Sequence, residues 1–452
     1  MPAAERRRAG APAVRLLSRR RARYVRSILR GGPEEAAYAW LRARRRRRNV
    51  ADDERSLLPS DRLVLRQDFD VSAGDLAANA EVLKAYAAPR RTEIHSIQWF
   101  VPGFYLVWGG GVHTLLRFAD HVARRHGVES RFCVFDDDDP DVVKRVRARI
   151  AEAFPALAGS PVTGPSADLE PCDAAVATAW EGIWRLVRFR DAAAKFVFVQ
   201  DWEPDFYPAG SASGMLTEAA RLGIPGIVNT EALADVWRAH GSPAVAFRPA
   251  VDTERFRPDE SPHAGPVRIF FYGRPKTARN AFGLGLAALR RVKDVHGDSV
   301  QIICAGEDWS PGMYGAADVL ENVGMLESLD EVAELYRSCD IGLVFMLSCH
   351  PSYQPLEFMA SGVATVSNEN PHTDWLLRHE ETALTAPPIP ALIAAQIERL
   401  VGDPALRGRL ALAGRDEVNA ADWDTELERV WLTITAGGRP PRAFRRSSGL
   451  RG

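Results

Sequence analysis

The chain has 452 residues, 46% of them hydrophobic and 26% charged, with a formal net charge of −1. That is a globular composition, long enough for at least two domains, and it argues against a collagenous or low-complexity chain. Five cysteines without a CxxC pair exclude a disulfide scaffold or zinc ribbon, and no apolar run reaches the ~20 residues of a membrane-spanning helix.

The neutral average hides an asymmetry. Residues 1–50 hold 16 arginines against three acids, Glu5, Glu34 and Glu35, so the rest of the chain is net acidic. Residues 1–60 read as a basic arm. Apolar positions in VRLLSRRRARYVRSIL (Val14 to Leu29) recur at helical spacing, and Arg44 to Arg48 is an unbroken cationic run. The arm suits a solvated tail or attachment to an anionic membrane surface, where each arginine adds ~1 kcal/mol. Nucleic acid is set aside as a partner: the arm has few aromatics beyond Tyr24, Tyr38 and Trp40, and the body is acidic. The Arg-Pro segment 437–452 reads as a second tail. The cysteine usage and the lack of an export signal place the chain in a reducing, cytoplasmic compartment, peripheral to the inner face of the plasma membrane if the arm binds lipid.

From His95 onward, apolar strand-like runs alternate with helical patterns. The first set is HSIQWFVP, SRFCVFD, CDAAVATAW, KFVFVQ, PGIVNT and PAVAF, ending near Phe247; the second, from Val267, is VRIFFYG, VQIICAG, CDIGLVFM and VATVSN. Strands buried on both faces read as continuous runs of this kind. The fold class expected is α/β, with two doubly wound, Rossmann-like parallel sheets facing a cleft. The first domain spans 61–250 and the second 251–420, with a closing helix at 421–436 that packs back on the first domain. In such folds ligands sit beyond the carboxyl ends of the strands.

The post-strand loops therefore supply the candidates. Gly109, Gly110 and Gly111 follow the first strand and let a helix N-terminus approach an anion, although a plain structural turn would use the same residues. Arg274, Lys276 and Arg279 follow the first strand of the second domain and could clamp a diphosphate, against the alternative of a solvated basic loop. Glu357, in HPSYQPLEFMASG, is placed in the first turn of a helix entered through Pro355, where it could accept hydrogen bonds from ribose hydroxyls or simply complement the helix dipole. Gln200, Asp201 and Glu203 end the strand KFVFVQ and suit acceptor hydroxyls or a general base, as Trp180 and Glu181 do more weakly. Asp136 to Asp139 resemble an acidic metal cluster but lack further ligands, so no metal is expected. His113 and His350 are weaker polar contacts, and no nucleophilic triad is visible.

Together these segments resemble glycosyltransferase family 4. FRPAVDTERFRP (Phe247 to Pro258) is similar to that family's hinge, and the Gly273-Arg274 loop, the Pro-Leu-Glu turn ending at Glu357, LVGDPALRGRLALAGR (Leu400 to Arg415) and the helix Trp423 to Trp431 follow its pattern. HSIQWFVPGFY, GGGVHTLLRFA and VQDWEPDFYP look most like its bacterial rhamnosyltransferases. The resemblance implies a GT-B fold and metal-independent, retaining transfer from a nucleotide-diphosphate sugar, such as dTDP-rhamnose, with no other cofactor. It implies a saccharide or lipid-linked saccharide acceptor in surface polysaccharide assembly. It puts the diphosphate on Arg274, the ribose on Glu357, the donor phosphates near Gly109–Gly111, and the family's following lysine on Arg279 or Lys276. Two positions depart from the pattern. Cys349, beside His350, stands where the family has a glutamate that contacts the donor sugar, and Gln200-Asp201 replaces a histidine. A nucleotide-sugar epimerase of the same fold and a non-catalytic nucleotide-sugar-binding scaffold are the alternatives.

Overall fold

The structure is a computed structural model that describes residues 71–87, 93–108, 110–259, 265–350 and 352–436. The basic arm, the C-terminal tail and Gly109 lie outside the described residues.

Helix α1 (Ala73–Tyr86) opens the described chain, capped by Ser72, whose hydroxyl accepts from the Asp75 N–H while the Asp75 carboxylate accepts from the Ser72 N–H. The first sheet comprises β1 (Ser96–Val101), β2 (Glu129–Val134), β3 (Val162–Thr163), β4 (Cys172–Thr178), β5 (Ala192–Val199), β6 (Gly226–Asn229) and β7 (Ala244–Phe247). Its order is β3-β2-β1-β4-β5-β6-β7, and every pairing is parallel. Helices α2 (Gly110–His126), α3 (Pro140–Ala153), α4 (Trp180–Arg188), α5 (Ser211–Ala219) and α6 (Glu231–Ala239) connect the strands.

The second sheet comprises β8 (Val267–Tyr272), β9 (Val300–Ala305), β10 (Glu321–Asn322), β11 (Ile341–Leu343), β12 (Ala364–Asn368) and β13 (Leu384–Ala386). Its order is β10-β9-β8-β11-β12-β13, again all parallel. Its helices are α7 (Phe282–His296), α8 (Leu329–Arg337), α9 (Tyr353–Ala360), α10 (Pro390–Gly402) and α11 (Pro404–Asn419). The expected α/β class with two doubly wound sheets is what the structure has. The strands not expected from the sequence, β3, β10 and β13, are two or three residues long, too short to leave a run.

The strand interiors explain the apolar runs. Trp99, Phe132 and Phe196 lie in the core on one face of the first sheet, and Phe100, Val197 and Val199 in that on the other. The last helix, α12 (Trp423–Thr435), returns to the first domain. Leu427, Val430, Trp431 and Ile434 join the core formed by β1 and α2, each burial contributing roughly 1.5–3 kcal/mol. Polar ties hold the same crossing: Tyr86 Oη donates to Ile434 O at 2.8 Å, and Arg429 Nη2 to Ala246 O at 2.7 Å.

Both sheets reverse strand order at their first strand. β1 lies between β2 and β4, and β8 between β9 and β11. Crossovers leave such a point in opposite directions and open a crevice at the carboxyl ends. The crevices of the two sheets meet.

Candidate functional site

Where they meet, a cavity of about 370 Å³ separates the domains. The first domain contributes Gly110, His113, Thr114 and Arg117 from the first turns of α2, and the second contributes Tyr272 and Arg274 from β8 and its loop, with Tyr353, Gln354 and Glu357 from α9. The hinge adds Asp252 and Arg255, and Trp423 closes one side.

Arg274 is held loosely. Its Nη1 lies 3.4 Å from Tyr272 Oη, and its buried Nε has no hydrogen-bond partner among the described residues. Space for this arrangement comes from Gly306, whose φ is +114° and where a Cβ would meet the Tyr272 ring at 2.4 Å. Glu357 faces the same space, and burial pushes its carboxyl up to about 7. It sits in the second turn of α9 and not the first. The helix starts at Tyr353, because the first turn's orphan donors let Pro355 sit inside the helix instead of opening it. A dipole-capping role for Glu357 is correspondingly weaker.

Two further cations converge on the cavity. Arg117 stacks over Trp423 at 5.2 Å, and its buried Nε also has no partner among the described residues. Arg255 is braced by Asp252 at 3.3 Å and by Asp330 at 2.7 Å. His113 lies 3.1 Å from Arg117 Nη2, and burial, helped by that charge, pushes its imidazole down to about 4, so it is neutral. Sequence reasoning missed Arg117, Arg255 and Gly306 as site residues. Arg117 follows His113 by one helical turn, and Arg255 lies inside the hinge motif, so a signal existed for both.

The glycine turn meets protein. Gly110 and Gly111 form the first turn of α2; Gly110 lies against the Tyr353 ring, and Gly111 against the Gln200 side chain. Tyr353 Oη is 2.6 Å from Thr114 Oγ1 and accepts from Asn229 Nδ2 at 3.2 Å. His350 is buried at the same junction, with Nε2 3.1 Å from Asn229 Nδ2, and burial pushes it down to about 3. It does not line the cavity. Lys276 points to solvent and pairs with Glu307 at 2.9 Å, so it too lies outside.

The remaining candidates form a separate group at the ends of β4 and β5. Burial pushes Asp201 up to about 6, against hydrogen bonds from the Ser348 hydroxyl and the Trp202 N–H at 2.8 Å. Burial, reinforced by the charge of Glu181, pushes Glu203 up to about 8 while it accepts the Trp180 N–H at 3.0 Å. Glu181 itself is raised by burial to about 7. Arg279, from the second domain, lies 4.1 Å over the Phe206 ring and within electrostatic reach of both Asp201 and Glu203. Cys349 is half-buried beside Asp201 and Asp205, its thiol pushed up to about 11 chiefly by burial. Gln200 is half-buried with both amide atoms lacking partners among the described residues. Trp180 is 3% exposed and packs with Ala212 and Leu216, as a core residue does. In the Asp136–Asp139 run each carboxylate is used by a backbone N–H, of Gly103, Asp139, Ser166 and Asp141 in turn.

Residues 267–398 match the protein family described as WsaF, C-terminal domain. The match bears out a resemblance to WsaF and leaves the broader family 4 assignment and the rhamnosyl specificity untested. Over 404 residues the chain is 39% identical to the O-antigen biosynthesis protein RfbC of Myxococcus xanthus, covering 88% of this chain and 31% of that protein. The chain thus spans about a third of this relative's length. Among solved structures it is similar to Anabaena HepE in complex with UDP, with a TM-score of 0.59 and 13% identity over 76% of this chain and all of that one. Sucrose-phosphate synthase of Thermosynechococcus elongatus superposes with a TM-score of 0.54 and 14% identity over 75% of this chain and 97% of that one. The fold is that of the GT-B glycosyltransferases.

Proposed function

We infer, from its glycosyltransferase fold and its WsaF-type second domain, that this chain transfers a sugar from a nucleotide-diphosphate donor to a saccharide acceptor. The observation that carries this reading is that Arg274, whose buried Nε has no partner among the described residues, and Glu357 line one cavity at the switch points of both sheets. A diphosphate would supply the acceptors that Arg274 lacks, and its ribose hydroxyls would donate to Glu357. Arg117 and Arg255 would add positive charge from the first domain and the hinge. Catalysis then rests on positioning and on neutralising the departing diphosphate, with no protein nucleophile required.

The finer reading is retaining transfer of a deoxyhexose such as rhamnose onto a growing, lipid-linked surface polysaccharide. It is supported by the WsaF-type domain and by the similarity to an O-antigen biosynthesis protein. UDP in the complex of Anabaena HepE makes uridine donors part of the panel beside dTDP-rhamnose. The acceptor would enter from the first domain, near Gln200, Asp201 and Glu203. The arginine-rich arm would hold the enzyme at an anionic membrane surface; no helix of the described residues is long and apolar enough to cross a membrane. Vesicle binding that survives deletion of residues 1–60 would remove that role for the arm.

The first test is thermal stabilisation by a panel of nucleoside diphosphates and nucleotide sugars, on the full chain and on Arg274→Ala. A ligand at 100 times its Kd adds ~2.7 kcal/mol. Stabilisation by one nucleotide sugar, lost in the variant, followed by acceptor-dependent release of the nucleoside diphosphate, is the expected result. No stabilisation by any nucleotide would overturn the donor site and leave a scaffold.

A further inference from the structure

Away from the cleft, on the C-terminal half of α2, His121 is buried to 1% with both ring nitrogens on carboxylates. Its Nδ1 lies 3.1 Å from Asp424 Oδ1 and its Nε2 3.0 Å from Glu428 Oε2, both acids on the returning helix α12. A neutral imidazole has one N–H, so it can satisfy only one of these contacts. The other sets a lone pair against a carboxylate unless the ring takes a second proton or a metal cation intervenes. His126 brings a second imidazole to the same point, its Nε2 2.9 Å from Glu428 Oε2. The three donor atoms, His121 Nε2, His126 Nε2 and a Glu428 oxygen, lie within 4.8 Å of one another.

We propose that His121, His126 and Glu428 bind a divalent transition-metal ion of the zinc type, clasping α12 to α2. Two imidazoles and a carboxylate form the N/O donor set zinc accepts, with a fourth position left for water. A tetrahedral ion with ligands at ~2.0–2.1 Å holds donors about 3.3 Å apart, a few tenths of an ångström wider than the present contacts. Asp424 supplies the outer support that such sites use: it receives the Nδ1–H of His121, which fixes the tautomer that leaves Nε2 free for the metal. Arg124 and Arg125, both 3.6 Å from Asp424, hold that carboxylate in its orienting role. The site stands apart from the cavity, so the ion fastens the fold and takes no part in transfer.

The full chain, freed of metal by chelation and dialysis, is titrated with Zn2+ by calorimetry and melted with and without it. One equivalent should bind and Tm should rise by about 5 °C at saturation. His126→Ala and Glu428→Gln, both at partly exposed positions, should each lose the bound equivalent and the rise in Tm. Co2+ should give the visible absorption of a tetrahedral N/O site in the native chain alone. Absence of stoichiometric binding, or a Tm rise kept in both variants, would overturn the metal site and leave a proton shared between His121 and the two acids.

Discussion

Gly110 lies directly beneath the ring of Tyr353, so that a Cβ on Gly110 would stand 2.9 Å from Tyr353 Cδ2. One residue opens the helix of the first domain that lines the cavity, and the other opens the helix of the second. Their contact, with the Tyr353–Thr114 and Tyr353–Asn229 hydrogen bonds, is a direct seam between the domains.

The sign of one substitution tests that seam. In a free helix, replacing glycine by alanine stabilises by roughly 0.5–1 kcal/mol. At Gly110 the added methyl must displace the Tyr353 ring, so Gly110→Ala should instead destabilise and loosen the domain interface. Tyr353→Phe should cost about 0.5–1.5 kcal/mol by removing its hydrogen bonds to Thr114 and Asn229, which keep Gly110 O and His350 as partners. Denaturant midpoints of both variants check this; stabilisation by Gly110→Ala would mean the two helices are apart in solution.

Arg274→Ala should lower kcat/KM by the equivalent of roughly 2–4 kcal/mol, by analogy with a lost oxyanion donor. Arg274→Lys should recover only part, since an ammonium lacks the planar fork. Lys276→Ala should change kcat/KM little, because its ammonium is exposed and already paired with Glu307. Steady-state kinetics with the donor found by thermal stabilisation distinguish the three, and an equal loss at Lys276 would shift the anion site toward the loop surface.

Glu357 gives a pH signature. Its folded carboxyl holds a proton up to about 7, whereas the unfolded chain releases it near 4.5. The native state then binds more protons across that window, so stability falls as pH rises from about 4.5 to 7. Glu357→Gln should flatten this slope and, above pH 7, stabilise the chain by about 1–3 kcal/mol, a figure discounted for partial exposure. A nucleotide that needs the ionised carboxylate should bind the native enzyme more tightly as pH rises through 7. Chemical denaturation and nucleotide titration at pH 5, 6, 7 and 8 measure both; a Glu357→Gln variant with the native slope would assign it to other groups.

Much of this fold was legible in the sequence, because strands buried on both faces leave unbroken apolar runs, as β5 does through Phe196-Val197-Phe198-Val199. Arg274 and Glu357 were legible as cavity-lining candidates because one follows β8 by a single glycine and the other lies in the proline-punctuated helix that comes after β11. The pairing of sites was not. Arg117, Arg255 and Arg274 come from α2, the hinge and the β8 loop, and only the packing of two domains brings them to one cavity. Packing likewise parts Arg279 from Arg274: the four intervening residues turn it toward Phe206, Asp201 and Glu203. The short edge strands β3 and β10 escaped for another reason, since two hydrogen-bonded residues such as Glu321-Asn322 need no apolar pattern.

Lys195 is a place where a sequence rule fails inside the run that revealed β5. It is 1% exposed, its Nζ donates to Val187 O at 3.2 Å, and burial pushes its pKa down to about 8. Below that value the fold holds a desolvated ammonium. The unfolded chain binds more protons between about 8 and 10.5, so stability rises with pH across that window and the cost is fully present at pH 7. Lys195→Met keeps the length of the side chain and removes the charge, leaving only the Val187 carbonyl without its donor. It should raise stability at pH 7 by about 1–3 kcal/mol and flatten the alkaline rise. Urea denaturation at pH 7 and pH 10 would show the gain shrinking toward zero at the higher pH. A loss of stability at pH 7 would mean that the hydrogen bond to Val187 outweighs the cost of burying the charge.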